Sequence, residues 1–180
     1  MEKTIYLVRH CKAEGQAPDA RLTAEGEEQA GRITAFFKDI DVDTILTSPY
    51  LRAVQTVKGL AENHGIRLVE EPRLSERVLT GQYHPDWLTM LERTFTDLEL
   101  SYPGGESSLQ AMQRGMEVID QILQGHHSVT VMATHGNLMA LLLKKFDDAF
   151  GFTQWKTLSN PDIYRLDFTI DAPVIQRVWG

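Results

Sequence analysis

Short apolar segments alternate with longer amphipathic segments along most of this chain, and this alternation restricts its fold more than any other feature. Segments 4–8 and 128–133 are rich in apolar and β-branched residues and have the length of strands that are buried on both faces. The longer segments between them carry apolar residues at helical spacing. The alternation predicts an α/β fold: a mostly parallel central sheet of about six strands with one antiparallel edge strand, and helices on both faces.

The predicted strands cover about 4–8, 43–47, 66–70, 128–133, 163–168 and 173–179, and the predicted helices about 23–38, 49–63, 85–95, 107–124 and 138–146. Thr23 is expected to cap the first helix, Ser48-Pro49 to begin the second and Gly65 to follow its end. The last two strands are separated by a tight connection at Asp171-Ala172-Pro173. The predicted apolar stripes are Leu51, Val54, Val57 and Leu60 on the second helix, and Leu109, Met112, Met116, Ile119 and Leu123 on the helix after residue 106.

The length of 180 residues suits one domain, 1–180, and we expect an irregular and partly helical insert at about 77–106. The formal net charge of −7 argues against nucleic-acid binding, which depends on basic residues that meet phosphates. No apolar run reaches the ~18 residues of a membrane span. Because residues 1–4 lead directly into a strand without the pattern of a signal peptide, we expect a cytoplasmic protein. The single cysteine, Cys11, excludes an internal disulfide.

Polar side chains follow four of the predicted strands. Arg9-His10 follows the first strand, Arg52 lies in the first turn after the second, and His135 follows the fourth. Glu76 lies in the loop after the third strand. Each residue alone has an ordinary explanation, as a surface charge, a turn residue or a capped core histidine. Because the carboxyl ends of parallel strands meet at one sheet edge, however, we expect the four to converge on one crevice.

These residues lie in motifs that resemble the histidine phosphatase (phosphoglycerate mutase-like) superfamily. Leu7-Val8-Arg9-His10 resembles its Arg-His-Gly signature, and segment 22–30 is similar to its Leu-Thr-x-x-Gly-x-x-Gln-Ala motif. Segment 48–56 resembles its Ser-x-x-x-Arg-Ala-x-Gln-Thr block, and Leu74-Ser75-Glu76 its Leu-x-Glu. Gly104-Gly105-Glu106-Ser107 and Ala133-Thr134-His135-Gly136 complete an ordered set, so the resemblance runs from residue 4 to about 145.

The resemblance implies a role for each residue. His10 would be the nucleophile and would form a phosphohistidine, while Arg9, Arg52 and His135 would clamp the phosphoryl oxygens. Glu76 would protonate the leaving oxygen and later take a proton from water, and neither metal nor cofactor would be needed. The residue types suit this chemistry, because cations stabilise the charge on the equatorial oxygens and neutral imidazole is a good nucleophile. Gln16 and Asn137 are the further candidates for substrate binding.

The sequence also departs from the family pattern. Cys11 stands where glycine is usual, Lys12 where an acidic or amide residue is common, and Gln16 where many members carry asparagine. Segment 77–102 is as short as in the small phosphatases, whereas mutases carry a larger insertion here. We therefore expect hydrolysis of a small phosphorylated metabolite. The alternatives are mutase-type phosphoryl transfer and a catalytically silent module that binds a phosphorylated ligand; the latter would not need Glu76.

Other hydrolase classes fit the sequence less well. A cysteine-dependent phosphatase needs an arginine six residues after its cysteine, and that position is Ala17. The aspartate-dependent pattern Asp-x-Asp-x-Thr has no match, because Asp41-Val42-Asp43 precedes its strand and is followed by Ile45 in the fifth place. A zinc site would have to combine His135 with two histidines of a polar turn, His126 and His127.

Within the insert, two interpretations stay open for Tyr83, Trp87, Met90 and Phe95: they line the substrate pocket, or they form a small satellite core.

Overall fold

The computed structural model describes residues 2–169 and 172–180, which form a six-stranded sheet with helices on both of its faces. The strand order is β3-β2-β4-β1-β5-β6. The strands are β1 (Lys3–Arg9), β2 (Thr44–Thr47), β3 (Leu68–Glu70), β4 (Val129–Thr134), β5 (Asp162–Phe168) and β6 (Val174–Arg177). The helices are α1 (Ala24–Phe36), α2 (Leu51–His64), α3 (Trp87–Thr96), α4 (Ser108–Gln124), α5 (Gly136–Phe146) and α6 (Phe152–Thr157), and a 3₁₀ turn covers Pro72–Leu74.

The predicted α/β architecture is confirmed. Strands β1 to β4 are mutually parallel, and β5 runs antiparallel to both of its neighbours, β1 and β6. The antiparallel strand therefore lies one place in from the edge that β6 forms. Of the predicted connection between β5 and β6, Asp171 lies outside the described residues.

Two apolar cores lie on opposite faces of the sheet because successive strand residues point to opposite sides. On β1, Ile5 and Leu7 pack with α4, α5 and α6, whereas Tyr6 and Val8 pack with α1 and α2. Burial of these strands on both faces is what their continuous apolar sequence predicted. Within the described residues, no helix is both long enough and apolar enough to cross a membrane.

Most helix ends follow the predicted signals. Thr23 accepts a hydrogen bond from the Gly26 amide at the start of α1, and Ser107 caps α4 through a capping box with Gln110. Helix α2 ends at Gly65, whose φ of +64° is the left-handed conformation that glycine tolerates.

Three sequence predictions are wrong. Helix α2 begins at Leu51 rather than Pro49: the Ser48 hydroxyl accepts from the Tyr50 amide at 3.2 Å, within a turn that precedes the helix, and no side chain caps the helix itself. Leu51 and Leu109 do not belong to the buried stripes; both are exposed. The face that α2 buries near its start consists of Arg52, Ala53 and Thr56, so it is partly polar. Helix α6 was missed, because six residues are too few for a readable periodicity.

Candidate active site

The carboxyl ends of β1, β4 and β2 bring the predicted polar residues together. Arg9 is the last residue of β1, His10 follows it, and His135 follows β4 directly. Arg52 lies in the first turn of α2, after β2. The ring centroids of His10 and His135 are 5.1 Å apart, and the Arg52 Nε lies 3.3 Å from the His10 Nε2. The convergence expected from strand order is therefore present for these four residues.

The hydrogen bonds of His10 fix its tautomer. Its Nδ1 lies 2.7 Å from the carbonyl oxygen of Cys11, and a carbonyl can only accept, so Nδ1 carries the hydrogen. The Nε2 then holds the free lone pair, which accepts from the Arg52 Nε. Burial lowers the pKa of His10 to about 3, and the positive charges of Arg52 and Arg9 act in the same direction. His10 is thus a neutral imidazole at neutral pH, with its nucleophilic nitrogen beside a guanidinium group.

His135 is fully buried beside His10. Its Nε2 lies 2.7 Å from the hydroxyl oxygen of Ser48, a partner that sequence reasoning did not identify. Burial, together with the nearby His10 and the positive charge of Arg52, lowers the pKa of His135 to about 2. The ring also packs edge-on against Tyr50, at a centroid distance of 4.9 Å. The Ser48 contact and the surrounding rings hold this second imidazole in a fixed orientation.

Two arginines hold positive charge at the site. Arg52 is 1% exposed, and its Nη1 donates to the carbonyl oxygens of Gln16 and Ala17 at 3.1 and 2.9 Å. The Nη1 of Arg9 donates to the carbonyl oxygens of Leu158 and Ser159 at 3.1 and 3.3 Å. Burial lowers the pKa of both guanidinium groups while Glu76 opposes the shift, and arginine stays charged at neutral pH.

Gly136 permits the close approach of Arg9 to the start of α5. A Cβ at this position would lie 2.8 Å from both the Cζ and the Nε of Arg9, closer than such atoms can pack. The sequence motif His135-Gly136 thus has a steric reason: any side chain at residue 136 would displace the guanidinium group.

The carboxyl group of Glu76 lies at the N-terminus of α5. Its Oε1 accepts from the backbone amides of Arg77 and Leu138 at 2.7 and 3.0 Å, and its Oε2 accepts from the Asn137 amide at 3.1 Å. The first amides of a helix lack partners within the helix and commonly bind acidic groups. Three backbone donors therefore fix the position of this carboxylate, which is the one acidic side chain among the described residues that line the cavity reported below.

An ion pair that sequence reasoning missed braces the loop that carries Glu76. Arg114 donates from Nε and Nη2 to the two carboxylate oxygens of Glu106, both at 2.9 Å. Its Nη1 also donates to the carbonyl oxygens of Arg73 and Ser75, at 2.6 and 2.9 Å. Burial opposes ionisation of Glu106, but the hydrogen bonds from Arg114 and the Val78 amide hold its pKa below the usual value. Both carboxylate oxygens of Glu106 are therefore held in this ion pair, so Glu76 rather than Glu106 is the candidate proton donor.

Several buried polar atoms at the site lack a protein partner. Within residues 2–169 and 172–180, the buried side-chain atoms without a hydrogen bond are Arg9 Nε, His135 Nδ1, Asn137 Oδ1 and, elsewhere, Thr130 Oγ1. Buried polar groups are usually hydrogen-bonded, so the three at the site have hydrogen-bonding capacity that a bound ligand could use. Asn137 is nearly buried, whereas Gln16 is an exposed residue at the cavity rim that contacts Arg52 only through its backbone oxygen.

A cavity of about 520 Å³ opens beside these residues. Its lining resolves the two interpretations of the insert: Tyr83 and Trp87 line the cavity, whereas Phe95 belongs to the main core and Met90 does not line the cavity. Trp155 of α6 also lines it and was not predicted. The full lining is Arg9, Gln16, Glu76, Arg77, Leu79, Tyr83, Trp87, Leu91, Asn137 and Trp155.

The alternative hydrolase sites do not assemble. In the part of the chain that the structure describes, no three His, Cys, Asp or Glu residues are arranged to hold a metal ion. His126 and His127 precede β4 whereas His135 follows it, so the whole strand, ~20 Å by its length, separates them. Cys11 is buried, and burial raises the pKa of its thiol to about 11, which keeps it protonated and unreactive.

Comparison with known proteins agrees with this geometry. The model of the histidine phosphatase superfamily (branch 1) matches residues 5–179. The protein named Probable phosphoglycerate mutase GpmB, from Escherichia fergusonii, is 25% identical over 186 residues, which cover 91% of this chain and 84% of the relative.

Solved structures share the fold at lower identity. The mycobacterial glucosyl-3-phosphoglycerate phosphatase superposes with a TM-score of 0.77 at 19% identity, over 99% of this chain and 98% of that chain. The alpha-ribazole phosphatase from Shigella flexneri also has a TM-score of 0.77 at 19% identity, over 97% and 95% of the two chains. At such identities the superpositions support the architecture alone.

Proposed function

Since this chain belongs to the histidine phosphatase superfamily, branch 1, we propose that it hydrolyses small phosphomonoesters through a phosphohistidine at His10. The observation that carries the proposal is the pairing of a neutral, buried imidazole with two partnerless buried nitrogens, Arg9 Nε and His135 Nδ1. A tetrahedral phosphoryl group offers acceptor oxygens to Arg9 Nε, and to His135 Nδ1 in the tautomer in which the Ser48 hydroxyl donates to His135 Nε2. The phosphorus of a phosphoryl group bound in this way would lie next to the His10 Nε2, the nitrogen that the Arg52 Nε contacts.

The proposed reaction has two steps. In the first, the Nε2 of His10 attacks phosphorus, the bond to the leaving oxygen breaks, and protonated Glu76 gives that oxygen its proton. The hydrogen bond from Nδ1 to the Cys11 carbonyl stabilises the positive charge that the phosphorylated ring acquires. In the second step water attacks phosphorus and loses a proton to the Glu76 carboxylate, and the bond to Nε2 breaks. Arg9, Arg52 and His135 stabilise the equatorial oxygens throughout.

Hydrolysis is favoured over mutase chemistry by the substrate cavity. A mutase must hold a substrate with a carboxylate and up to two phosphate groups, which calls for cations beyond the phosphate clamp. Among the described residues that line the cavity, Arg77 is the one cation outside the proposed clamp, and protein acceptors already occupy its guanidinium group. Because the chain has both a candidate nucleophile, His10, and a candidate acid, Glu76, an enzyme is favoured over a catalytically silent module that only binds a phosphorylated ligand.

The experiment is phosphate release from a panel of sugar phosphates, nucleotides, phosphoglycerates and aryl phosphates, in excess EDTA. We expect activity to persist in EDTA, to vanish in His10→Gln, and to be unchanged in the control His126→Gln, which alters an exposed histidine. Complete, metal-reversible loss in EDTA would contradict the metal-free mechanism. Isomerisation of 3-phosphoglycerate without phosphate release would instead assign a mutase.

A cytoplasmic location and the absence of nucleic-acid or membrane partners remain predictions from the sequence.

A further inference from the structure

The wall of the cavity beyond the phosphate clamp is apolar and largely aromatic. Leu79 and Tyr83 come from the loop after Glu76, Trp87 and Leu91 from α3, and Trp155 from α6. This composition, with few polar groups at one end, is typical of a pocket that binds an apolar ligand group.

The deep part of this wall is held by the core. Leu91 is 3% exposed, and Trp155 stacks on Phe152 at a centroid distance of 5.5 Å and an angle of 21°. Phe152 in turn packs against Phe95 of the main core. This deep part of the wall is therefore preformed, and a ligand that binds against it loses little free energy to reorganisation of the protein.

The mouth of the cavity exposes large aromatic surfaces. Tyr83 is 84% exposed and Trp87 is 41% exposed. Such rings present flat apolar faces to water, and a flat ligand that covers them would gain both area burial and ring stacking.

Among the described residues that line it, the cavity offers no free cation for a second anionic group. Arg77 is 4% exposed, and its Nε and Nη2 donate to the Glu106 carbonyl oxygen at 3.1 and 3.0 Å. Its Nη1 donates to the hydroxyl oxygens of Thr94 and Ser108 at 3.2 and 3.3 Å. A carboxylate or second phosphate that entered this wall would lose its hydration without gaining an ion pair.

From these observations we infer that the organic half of the substrate is an aromatic or similarly flat apolar group, with the phosphoryl group as its one strongly anionic part. This inference rests on the proposed phosphatase activity and specifies its substrate class. Trp87 and Trp155 determine the specificity by contact with the organic group, whereas the phosphate clamp treats all monoesters alike.

The test compares 2-phenylethyl phosphate with n-propyl phosphate and 3-phosphoglycerate. The first two expel alkoxides of similar basicity, so a difference in kcat/KM between them reports on the ring rather than on the leaving group. We expect kcat/KM to be about 10–100-fold higher for 2-phenylethyl phosphate than for n-propyl phosphate, as hydrophobic pockets give for small apolar groups. The value for 3-phosphoglycerate should be the lowest.

Trp87→Ala and Trp155→Leu should lower kcat/KM for 2-phenylethyl phosphate much more than for n-propyl phosphate, so that the preference falls towards unity. Leu88→Ala is the matched control, because Leu88 is a similarly exposed neighbour on α3 that does not line the cavity. Unchanged melting temperatures show that the variants fold. Equal kcat/KM for the two alkyl phosphates, or a preference for 3-phosphoglycerate, would overturn the inference.

A binding measurement separates this inference from the proposed function. In His10→Gln, which cannot form the phosphoenzyme, calorimetric titration should still show tighter binding of 2-phenylethyl phosphate than of n-propyl phosphate. If neither ester is hydrolysed by the unaltered enzyme but this binding preference holds, the proposed function fails and the ligand class stands. If hydrolysis occurs and the two esters bind equally to His10→Gln, the ligand class is wrong.

Discussion

Acidification should destabilise this protein well before its carboxylates become protonated. His10 and His135 are buried as neutral rings, with pKa values lowered from 6.5 to about 3 and about 2, while in the unfolded chain each would titrate near 6.5. Below pH 6.5 the unfolded state therefore binds protons that the folded state cannot accept. The free energy of unfolding must fall as pH falls through 6.5, and it continues to fall towards pH 3.

The magnitude follows from these values. At pH 5 both folded-state pKa values lie far below the pH. The loss in free energy of unfolding therefore depends only on the difference between the unfolded-state pKa of 6.5 and the pH. That distance of about 1.5 units corresponds to about 2 kcal/mol for each histidine. The two rings together should thus lower the free energy of unfolding by about 4 kcal/mol between pH 7.5 and pH 5, a large part of the stability of a domain.

The assay is urea unfolding followed by circular dichroism, in buffers free of phosphate and sulfate, at intervals from pH 7.5 to pH 5. His10→Gln should lose about 2 kcal/mol less over this range than the unaltered protein, whereas the exposed control His126→Gln should match it. Equal pH dependence for His10→Gln and the unaltered protein would refute the claim that His10 is buried as a neutral ring.

Four further variants test the site. Glu76→Gln should lower kcat/KM on alkyl phosphates by about 10²–10⁴, but much less on p-nitrophenyl phosphate, whose phenolate needs no proton; equal losses would mean that Glu76 positions the substrate rather than donating a proton. Arg52→Ala should reduce both activities alike, as phosphate release assays can show. Gly136→Ala should displace Arg9 and raise KM for all monoesters together; an unchanged KM would mean that Arg9 does not bind the phosphoryl group. Arg114→Gln should loosen the Glu76 loop and lower kcat on alkyl more than on aryl phosphates, and identical losses would contradict its bracing role.

The sheet and the convergence of polar residues were predictable because both follow from the order of elements. A chain of strands that alternate with helices places successive strand ends at one edge, so the positions of His10, Arg52, Glu76 and His135 followed from the strand boundaries alone. The one antiparallel strand was expected because the last two strands are too close in sequence for a helical crossover.

Helix α2 shows where sequence reasoning fails. Periodicity assigns burial to apolar residues, but near the start of this helix Arg52 and Thr56 are buried because they face the site. The signal at Ser48 was only partly correct: its hydroxyl accepts from the Tyr50 amide and also contacts His135, and the helix begins after this turn without a side-chain cap. Periodicity and capping rules therefore fail to predict burial and helix boundaries at residues whose side chains contribute to the candidate site.

The cavity wall was only partly predictable. Tyr83 and Trp87 were candidates as aromatic residues of the insert, but Met90 and Phe95 carried the same signal and do not line the cavity. Trp155 lies in a six-residue helix that has no readable period, and its position depends on packing against Phe152. The ion pair between Arg114 and Glu106 could not be predicted from the sequence. Its two residues are eight positions apart, and Arg114 also binds a backbone carbonyl that is distant along the chain, a contact that no sequence pattern indicates.

The central claim is that His10 carries the phosphoryl group between two half-reactions. Rapid acid-free quenching with ³²P-labelled substrate, followed by mass spectrometry of the protein, tests it most directly. We predict one phosphoryl group per chain on His10, stable in base and labile in acid, which is absent from His10→Gln and present in His126→Gln. A labelled phosphoenzyme that persists in His10→Gln, or steady turnover by that variant, would contradict the account.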